Sequence, residues 1–461
     1  MLKGGERMIQ YPNTADLMIR NITVYTQDAG RTVLPSVDVA IRGDTIAAIG
    51  HLPKKEWTAK QELDGTGKTL FPGMHNMHVH VFQSLLKDLG ADKDLVGWLQ
   101  DCPFRCGPHI TPEMFELACK LAAMESLRSG VTTLADFCYL QSTIDFGYIS
   151  GLTMEKIGIR GIFMDCFHSC GEDMNTHPSM ILPPKEAIAR THELKTFFED
   201  GTHPLNTVWP GISVSWGGSP ELYDAVVDYS EKTGTPYTMH VLETEDDNVW
   251  TQKHFGKDLV EVMEEHRFLS DKLLAVHDVV IKPHEIETFA GYGVNVVYCP
   301  MANTILGSGI PPMTEMMRRG INITMATDGA GSNNSSDMVE SLKMGLLLQK
   351  GYMKDPTAMT AQNMLDFITV NAARAEHRTD IGSLEVGKKA DMFIYDPTFL
   401  RSAPNFNTLA TLMYNSSQEN IETTIVGGRI AYHKGQFACG LDEREVAREA
   451  IEYMNDWIKT H

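Results

Sequence analysis

The sequence of 461 residues lacks the features that mark membrane, secreted and nucleic-acid-binding proteins. It contains no apolar run long enough to cross a bilayer, and residues 1–7 lack the apolar core of a signal peptide. Basic residues are outnumbered, with 40 Lys plus Arg against 60 Asp plus Glu, and such an acidic surface repels phosphate backbones. We therefore expect a cytoplasmic protein that has neither a membrane nor a nucleic acid as its partner.

Cysteine is also scarce. Eight cysteines are spread over the whole chain, and the two pairs spaced four apart (Cys102/Cys106 and Cys166/Cys170) do not have the spacing of a zinc knuckle. We expect reduced, buried thiols and not a disulfide framework. With 43% hydrophobic residues, a chain of this length can bury a large core without disulfides.

Both ends of the chain are rich in short strand patterns. Hydrophobic and polar residues alternate in 16–25 and 37–42, with glycine turns at Gly43 and Gly65, and strands return after residue 378. The tail from Asp442 to Lys459 has the pattern of a helix. These patterns predict a composite β-sandwich domain formed by residues 1–72 and 379–461, with a C-terminal helix.

The central part, residues 73–378, alternates strand patterns with helix patterns. Eight strands are predicted, at 69–80, 131–137, 158–167, 207–216, 236–243, 273–280, 294–300 and 321–329. Thr111-Pro112 and Ser219-Pro220 have the capping residue and the N1 proline of helix starts. This count predicts an α/β fold, a (β/α)8 barrel. A doubly wound open sheet is the rival, but the first strand is not followed by a glycine-rich phosphate loop.

Side chains that bind metals recur at the ends of these strands. His78 and His80 are two apart on the first strand, so both imidazoles can reach one ion from its C-terminal end, where barrel active sites lie. His240, His277 and Asp328 end the fifth, sixth and eighth strands. Imidazole and carboxylate ligands with an open position suit a catalytic Zn²⁺ or Fe²⁺.

Glu243 follows His240 by three residues. Strand alternation would place it on the opposite face, so it can reach the site only if the strand has ended and the chain is turning. There it could shuttle protons to a leaving amine. The alternative is a solvated acid at the start of the acidic run 243–247.

These residues and several further motifs resemble the amidohydrolase superfamily, and within it the branch of deaminases and chlorohydrolases. The branch includes S-adenosylhomocysteine, guanine and 8-oxoguanine deaminases and the triazine hydrolases. The matching segments span about 16–435 and include Pro72-Gly-Met-His-Asn-Met-His78-Val-His80, Asp328-Gly-Ala-Gly-Ser-Asn-Asn and Ile381-Gly-Ser-Leu-Glu-Val-Gly-Lys-Lys-Ala-Asp. The resemblance implies a barrel with a β-sandwich built from both chain ends, and a homo-oligomer.

The resemblance also implies roles for the metal-binding side chains. A single divalent ion would be bound by His78, His80, His240 and Asp328, and Zn²⁺ is preferred over Fe²⁺. Asp328 would also take a proton from the attacking water, which His277 would hydrogen-bond, and Glu243 would protonate a ring nitrogen and then departing ammonia. Binuclear relatives carry a modified lysine on the fourth strand, and no lysine is present in 207–216.

Departures from the family pattern bear on the substrate. The glutamate that binds ribose in nucleoside-type deaminases aligns with Gly107, and their histidine after the fourth strand is replaced in Ser215-Trp-Gly217-Gly218. A free heterocycle is therefore expected over a nucleoside. Tyr298-Cys299 also departs from the family pattern, in which many members have a histidine before the proline, and this change can reshape the pocket.

Three residues match positions that could contact the substrate. Gln83 and Trp98 match pocket positions of triazine hydrolases, although Trp98 could equally be a core aromatic. Ser332 follows the metal-binding aspartate, although it could instead bond its own loop backbone.

We expect a metal-dependent hydrolytic deaminase of a small aromatic N-heterocycle, such as a purine, pterin or s-triazine. A triazine-type chlorohydrolase or alkylaminohydrolase is the alternative. Two hypotheses remain: a deaminase of nucleosides or S-adenosylhomocysteine, and a non-catalytic barrel.

Overall fold

The computed structural model describes residues 13–174 and 176–459. Residues 1–7, on which the expectation about a signal peptide rests, lie outside the described residues. The same holds for the first 12 and last 2 residues of the predicted β domain.

Seventeen strands occur in the described part of the chain, in three groups. The first group is β1 (Asn13–Tyr25), β2 (Val33–Arg42), β3 (Thr45–Gly50), β4 (Trp57–Asp64) and β5 (Thr69–Pro72). The second is β6 (Met74–Val79), β7 (Val131–Cys138), β8 (Arg160–Phe167), β9 (Asn206–Ile212), β10 (Tyr237–Val241), β11 (Leu273–His277), β12 (Asn295–Tyr298) and β13 (Asn322–Met325). The third is β14 (Met392–Tyr395), β15 (Ile421–Val426), β16 (Arg429–His433) and β17 (Gln436–Phe437).

Helices connect the strands of the second group and cover the outside of the molecule. They are α1 (Leu95–Asp101), α2 (Pro103–Cys106), α3 (Pro112–Arg128), α4 (Asp145–Ile157), α5 (Pro184–Phe198), α6 (Pro220–Thr233), α7 (Asp246–Phe255), α8 (Leu259–Glu265), α9 (Pro283–Tyr292), α10 (Pro300–Ile305), α11 (Met313–Arg318), α12 (Met338–Met353), α13 (Ala361–Phe367), α14 (Val370–Ala375), α15 (Thr408–Asn415) and α16 (Glu443–Trp457). Thr111 and Ser219 cap α3 and α6 as predicted, and each accepts a backbone N–H three residues later. None of the helices in the described ranges has both the length and the hydropathy that a membrane crossing requires.

Strands β6–β13 form the predicted barrel. Neighbouring strands pair in parallel and in chain order from β6 to β13. The first and last strands are joined where the Asp328 backbone N–H donates to the His78 carbonyl at 3.1 Å. The side chains of Asn76 and Thr327 add a hydrogen bond of 2.7 Å across the same seam. This closure brings the two ends of the barrel sequence to one place.

The predicted first strand, 69–80, is divided between two sheets at Gly73. β5 pairs with β1 and β14, whereas β6 pairs with β7. A Cβ atom on Gly73 would lie 2.0 Å from Oγ1 of Thr132, so only glycine allows the backbone to pass here. The sequence pattern missed this break because the residues on both sides of it are apolar and buried.

The β domain combines both chain ends, as predicted. In the described part of the chain, nine strands form one hydrogen-bonded sheet, in which β14 joins the N-terminal strands by pairing with β5. The sheet curls until Thr45, at the start of β3, bridges Lys389 just before β14. A core of aliphatic side chains separate from the barrel core fills the curl.

A buried ion pair connects the β domain to the barrel. Arg160, the first residue of β8, donates from Nε and Nη2 to one carboxylate oxygen of Asp391, at 3.1 and 2.9 Å. The second oxygen of Asp391 accepts the Gly427 backbone N–H at 2.6 Å. The two side chains are only 6% and 2% exposed, so each charge depends on the other.

Candidate active site

The barrel strands place five chemically active side chains at one end. His78 is in β6 and His80 follows it, His240 is in β10, His277 ends β11, and Asp328 follows β13. His277 and Asp328 have left-handed backbone angles, with φ of 84° and 68°. Such angles cost energy in residues other than glycine, and strain of this kind concentrates at functional sites.

Four of these side chains converge on one point. Nε2 of His240 lies 3.3 Å from Nε2 of both His78 and His80. Oδ1 of Asp328 lies 3.3 Å from Nε2 of His78 and 3.4 Å from Nε2 of His80. Ligands about 2.0–2.1 Å from a tetrahedral ion are separated by about 3.3–3.4 Å, so the donor atoms are spaced as for one zinc-sized ion.

Two of the imidazoles are held in the tautomer that a metal requires. Nδ1 of His80 donates to the Phe137 carbonyl at 2.7 Å, and Nδ1 of His240 donates to the Ser213 carbonyl at 2.5 Å. Each Nε2 therefore presents a lone pair to the common point. Burial lowers the pKa of His80 to about 3 and that of His240 well below its usual value, so both rings are neutral at physiological pH.

His277 is oriented differently. Its Nδ1 accepts a hydrogen bond from the Asn303 side-chain amide at 2.9 Å, so the ring proton lies on Nε2. Nε2 lies 3.5 Å from Oε2 of Glu243. His277 is within reach of the other donor atoms, but in this tautomer it presents a hydrogen-bond donor and not a ligand lone pair. The nearby Cys299 is a thiol, since burial raises its pKa well above the usual value.

Glu243 reaches the site because the strand ends before it. β10 stops at Val241, and Leu242 turns the chain with a φ of 50°. The backbone N–H of Glu243 donates to Asp247 at 2.9 Å, and Oε1 accepts from the Ser308 hydroxyl at 3.1 Å. Burial, and then the charges of Asp328 and Asp247, raise the pKa of Glu243 well above its usual value. A raised pKa favours the protonated form of the carboxyl, which can donate a proton.

A cavity of about 480 Å³, counting its open mouth, lies beside these groups. Its wall is largely apolar and aromatic, contributed by Leu95, Trp98, Leu99, Phe104, Tyr139, Val214, Trp216 and Leu306. No lysine or arginine is found among the described residues that line it. An apolar pocket with a few polar groups suits a flat, uncharged ring.

The three candidate substrate contacts differ in position. Trp98 lines the cavity and donates from Nε1 to the Gly331 carbonyl at 2.8 Å. Gln83 lies behind the wall and donates to the Tyr139 hydroxyl at 2.9 Å. Ser332 does not line the cavity and bonds the Gly329 carbonyl of its own loop at 3.0 Å.

Close packing surrounds Gly107, Gly217 and Tyr298, the positions at which the sequence departs from the family pattern. A Cβ on Gly107 would lie 2.9 Å from Leu140, and Gly107 does not line the cavity. A Cβ on Gly217 would lie 2.5 Å from Cδ2 of His168. Tyr298 points outward to α12, where its hydroxyl donates to the Gly345 carbonyl at 3.3 Å.

Sequence reasoning missed four polar groups of the site: Tyr139, His168, Asn303 and Ser308. None of these residues has a second polar residue at a spacing that would mark a sequence motif. Asn303 and Ser308 come from the segment after β12, and Ser308 lies in Leu306-Gly-Ser-Gly-Ile-Pro-Pro. His168 directly follows β8, the same position relative to a strand that identified the metal-binding histidines, and this signal could have found it.

Comparison with known proteins places the chain among the amidohydrolases. The Amidohydrolase family model matches residues 69–431. A curated relative, the 5-methylthioadenosine/S-adenosylhomocysteine deaminase of Lawsonia intracellularis, is 29% identical over 449 residues, which cover 96% of this chain and 98% of the relative.

Two solved structures are also similar. A zinc-bound adenosine deaminase from Xanthomonas campestris has a TM-score of 0.89 at 25% identity, covering 98% of this chain and 100% of its own. A zinc-bound atrazine chlorohydrolase from Arthrobacter aurescens has a TM-score of 0.87 at 20% identity, covering 95% of this chain and 100% of its own, and it supports the fold alone.

Proposed function

Because the chain belongs to the Amidohydrolase family, as a hydrolase of C–N bonds, we propose that it is a metal-dependent deaminase of a small aromatic N-heterocycle. A purine, a pterin or an s-triazine are the ring types that we consider. The observation that carries the proposal is the pairing of two features. Donor atoms of His78, His80, His240 and Asp328 lie 3.3–3.4 Å apart in four pairs, and the buried Glu243, whose pKa is raised, lies beside them.

The donor set fits one divalent ion held by His78, His80, His240 and Asp328, and we propose Zn²⁺ with Fe²⁺ as the alternative. The zinc in the similar adenosine deaminase structure supports this choice. A single ion is also supported by β9, which has no lysine that could bridge two metals. When bound, the ion supplies a hydroxide nucleophile near neutral pH because it lowers the pKa of water.

The side chains then divide the proton transfers among them. Asp328 accepts the proton of the attacking water. The side-chain amide of Asn303 holds the ring of His277 in place. The Nε2–H group of His277 donates a hydrogen bond to the oxygen that attacks the ring carbon. Glu243 gives its proton to a ring nitrogen. The proton that Asp328 took from the water then passes through Glu243 to the departing amine, which leaves as ammonia, and the hydroxyl left on the ring carbon becomes a carbonyl by returning its proton to Glu243.

The choice of leaving group follows from the state of Glu243. Ammonia leaves only after it is protonated, whereas chloride leaves as the anion without a proton. A carboxyl whose pKa is raised by burial is suited to the first case. We therefore favour deamination over the chlorohydrolase alternative.

Among deaminase substrates we favour the free heterocycle. The curated relative and the adenosine deaminase are named for nucleosides or their derivatives, which keeps nucleosides in consideration. Against them, the position aligned with the ribose-binding glutamate is Gly107, which lies outside the cavity lining. The described lining carries no carboxylate other than Glu243 and Asp328.

The test is ammonia release by zinc-loaded and iron-loaded protein from a panel of free purines, pyrimidines, pterins, aminotriazines and the matching nucleosides. We expect turnover of at least one free ring. Turnover of nucleosides alone would keep the chemistry and overturn the preference for a free ring. No ammonia from any member of the metal-replete panel would contradict the proposal.

We also infer a cytoplasmic location and a homo-oligomer. The location is supported by the eight cysteines, all of them free, because reduced thiols suit a reducing compartment. The oligomer rests on the family resemblance, and size-exclusion chromatography with light scattering tests it.

A further inference from the structure

His168 is a polar side chain of the cavity to which the proposed reaction assigns no role. It directly follows β8 and lines the cavity, and it is only 1% exposed. Its backbone is fixed, because the Leu182 N–H donates to the His168 carbonyl at 2.8 Å and an isolated bridge joins it to Ile181. The imidazole is therefore held at the wall by a fixed backbone.

Both ring nitrogens of His168 lack a hydrogen-bond partner among the described residues. The histidines of the metal site differ, since Nδ1 of His80, His240 and His277 are each bonded. His78 also has an unpaired Nδ1, but its Nε2 lies 3.3 Å from Nε2 of His240. Nδ1 of the buried His75 contacts Glu376 at 2.5 Å. Buried polar atoms in proteins are nearly always paired, and an unpaired one carries a desolvation cost. A ligand in the cavity is the partner that would offset this cost.

The chain around His168 makes room for the ring. A Cβ on Gly217 would lie 2.5 Å from Cδ2 of His168, so any larger residue at 217 would displace the imidazole. Tyr139 lies on another side, with its ring centroid 6.5 Å from that of His168 and 4.9 Å from that of His80. The ring of Tyr139 thus lies close to both His168 and the metal-binding His80.

The electrostatics of the cavity restrict the chemistry of the ligand. Burial lowers the pKa of His168 to about 4, so the ring is neutral at physiological pH and offers one donor and one acceptor. The described lining contains no lysine or arginine that could balance a phosphate or a carboxylate. Charged ligands would therefore be desolvated without compensation.

We propose that His168 is a substrate-specificity residue that hydrogen-bonds a polar edge of an uncharged heterocycle remote from the reacting carbon. The group recognised is a ring carbonyl, a ring N–H or a hydroxyl, and nucleotides and other anionic derivatives are rejected. The identity of the reacting ring rests on the proposed deaminase function, but binding through His168 does not require that turnover occurs.

The test compares H168F, H168Q and wild-type full-length, zinc-loaded protein. Phenylalanine keeps a ring but removes both nitrogens, whereas glutamine keeps one donor and one acceptor. H284F makes the same chemical change at an exposed histidine of α9 and is the matched control. Melting temperatures of all four proteins show whether each variant is folded.

Binding is measured with adenine, hypoxanthine, pterin and adenosine, and with AMP as the charged comparison. Trp98 and Trp216 line the cavity, so quenching of tryptophan fluorescence reports occupancy without turnover. We expect an uncharged probe to bind wild type, H168F to weaken it about 10-fold, and H168Q to stay within about 3-fold of wild type. H284F should bind as wild type does, and AMP should bind at least about 10-fold more weakly than adenosine.

Three results would overturn the proposal: no binding of any uncharged probe to wild type, equal affinities of folded H168F and wild type, or AMP binding as tightly as adenosine. If H168F does not fold, H168Q decides, because a loss of 10-fold or more in that variant contradicts a hydrogen-bonding role that an amide can replace. Histidine-dependent binding without ammonia release would refute the proposed function alone. Ammonia release with an unchanged KM in H168F would refute the role of His168 alone.

Discussion

Replacing Glu243 with glutamine is the sharpest test of the proposed proton transfers. Glutamine has the same shape, its carbonyl can accept the Ser308 hydroxyl at the 3.1 Å seen for Oε1, and the backbone bond to Asp247 is untouched. The melting temperature should therefore stay close to that of wild type. What the variant lacks is a carboxyl group that can donate and accept a proton.

The expected loss is large and depends on the leaving group. A positioned general acid contributes about 10²- to 10⁴-fold, which corresponds to about 3–5 kcal/mol of activation free energy. Protonation of the ring nitrogen is common to amine and chloride substrates, whereas the second proton transfer is needed only by the amine. We therefore expect E243Q to lower kcat/KM for an amino compound at least about 10-fold more than for its chloro analogue.

The assay follows ammonia and chloride release from the amino and chloro derivatives of one ring, chosen from the panel. The same protein preparations and metal loading are used for both compounds. Equal losses on the two compounds, or a loss below about 10-fold on the amine in a folded variant, would refute the assignment of Glu243 as the proton donor.

Three other predictions concern the metal and the frame of the molecule. Chelation should abolish turnover and Zn²⁺ should restore it in wild type but not in H240A, and full activity in metal-free protein would contradict the metal site. Burial raises the pKa of Asp136 to about 7, so the folded chain retains a proton that the unfolded chain loses above pH ~4. Stability should therefore fall as the pH rises from about 4 to about 7, by up to about 4 kcal/mol from this group, and chemical denaturation of D136N should show a shallower fall. R160A leaves the Asp391 charge buried and unpaired and should cost about 3–5 kcal/mol in the same assay. R267A, which breaks only exposed pairs, should cost less than about 1 kcal/mol.

The fold could be predicted because its local signals agree with its tertiary structure. Strand and helix patterns alternate along the barrel, and Thr111 and Ser219 cap their helices as their sequence context indicates. The parallel strands bring their carboxyl ends together, so His78, His240 and His277 could be grouped without knowing any distance. The break at Gly73 could not be predicted, because it depends on the approach of Thr132 from another strand.

Side-chain contacts were harder to predict than strand ends. The position of the Glu243 side chain depends on the left-handed backbone angle of Leu242. No pattern in the acidic run indicates this angle. Gln83 and Ser332 are near the site in sequence but bond Tyr139 and Gly329 instead of facing the cavity. His168 has no partner at motif spacing, and only its position after β8 and its unpaired nitrogens identify it.

The metal site can form only after the chain has been made as far as Asp328, because its side chains come from both ends of the barrel sequence. His78 and His80 are made early in synthesis, whereas Asp328 and the strand before it are made late, and the hydrogen bond between Asp328 and His78 joins them. A nascent or truncated chain that stops before Asp328 would expose the open edge of β6, a surface prone to aggregation. Zinc uptake by purified fragments would thus distinguish finished barrels from unfinished ones.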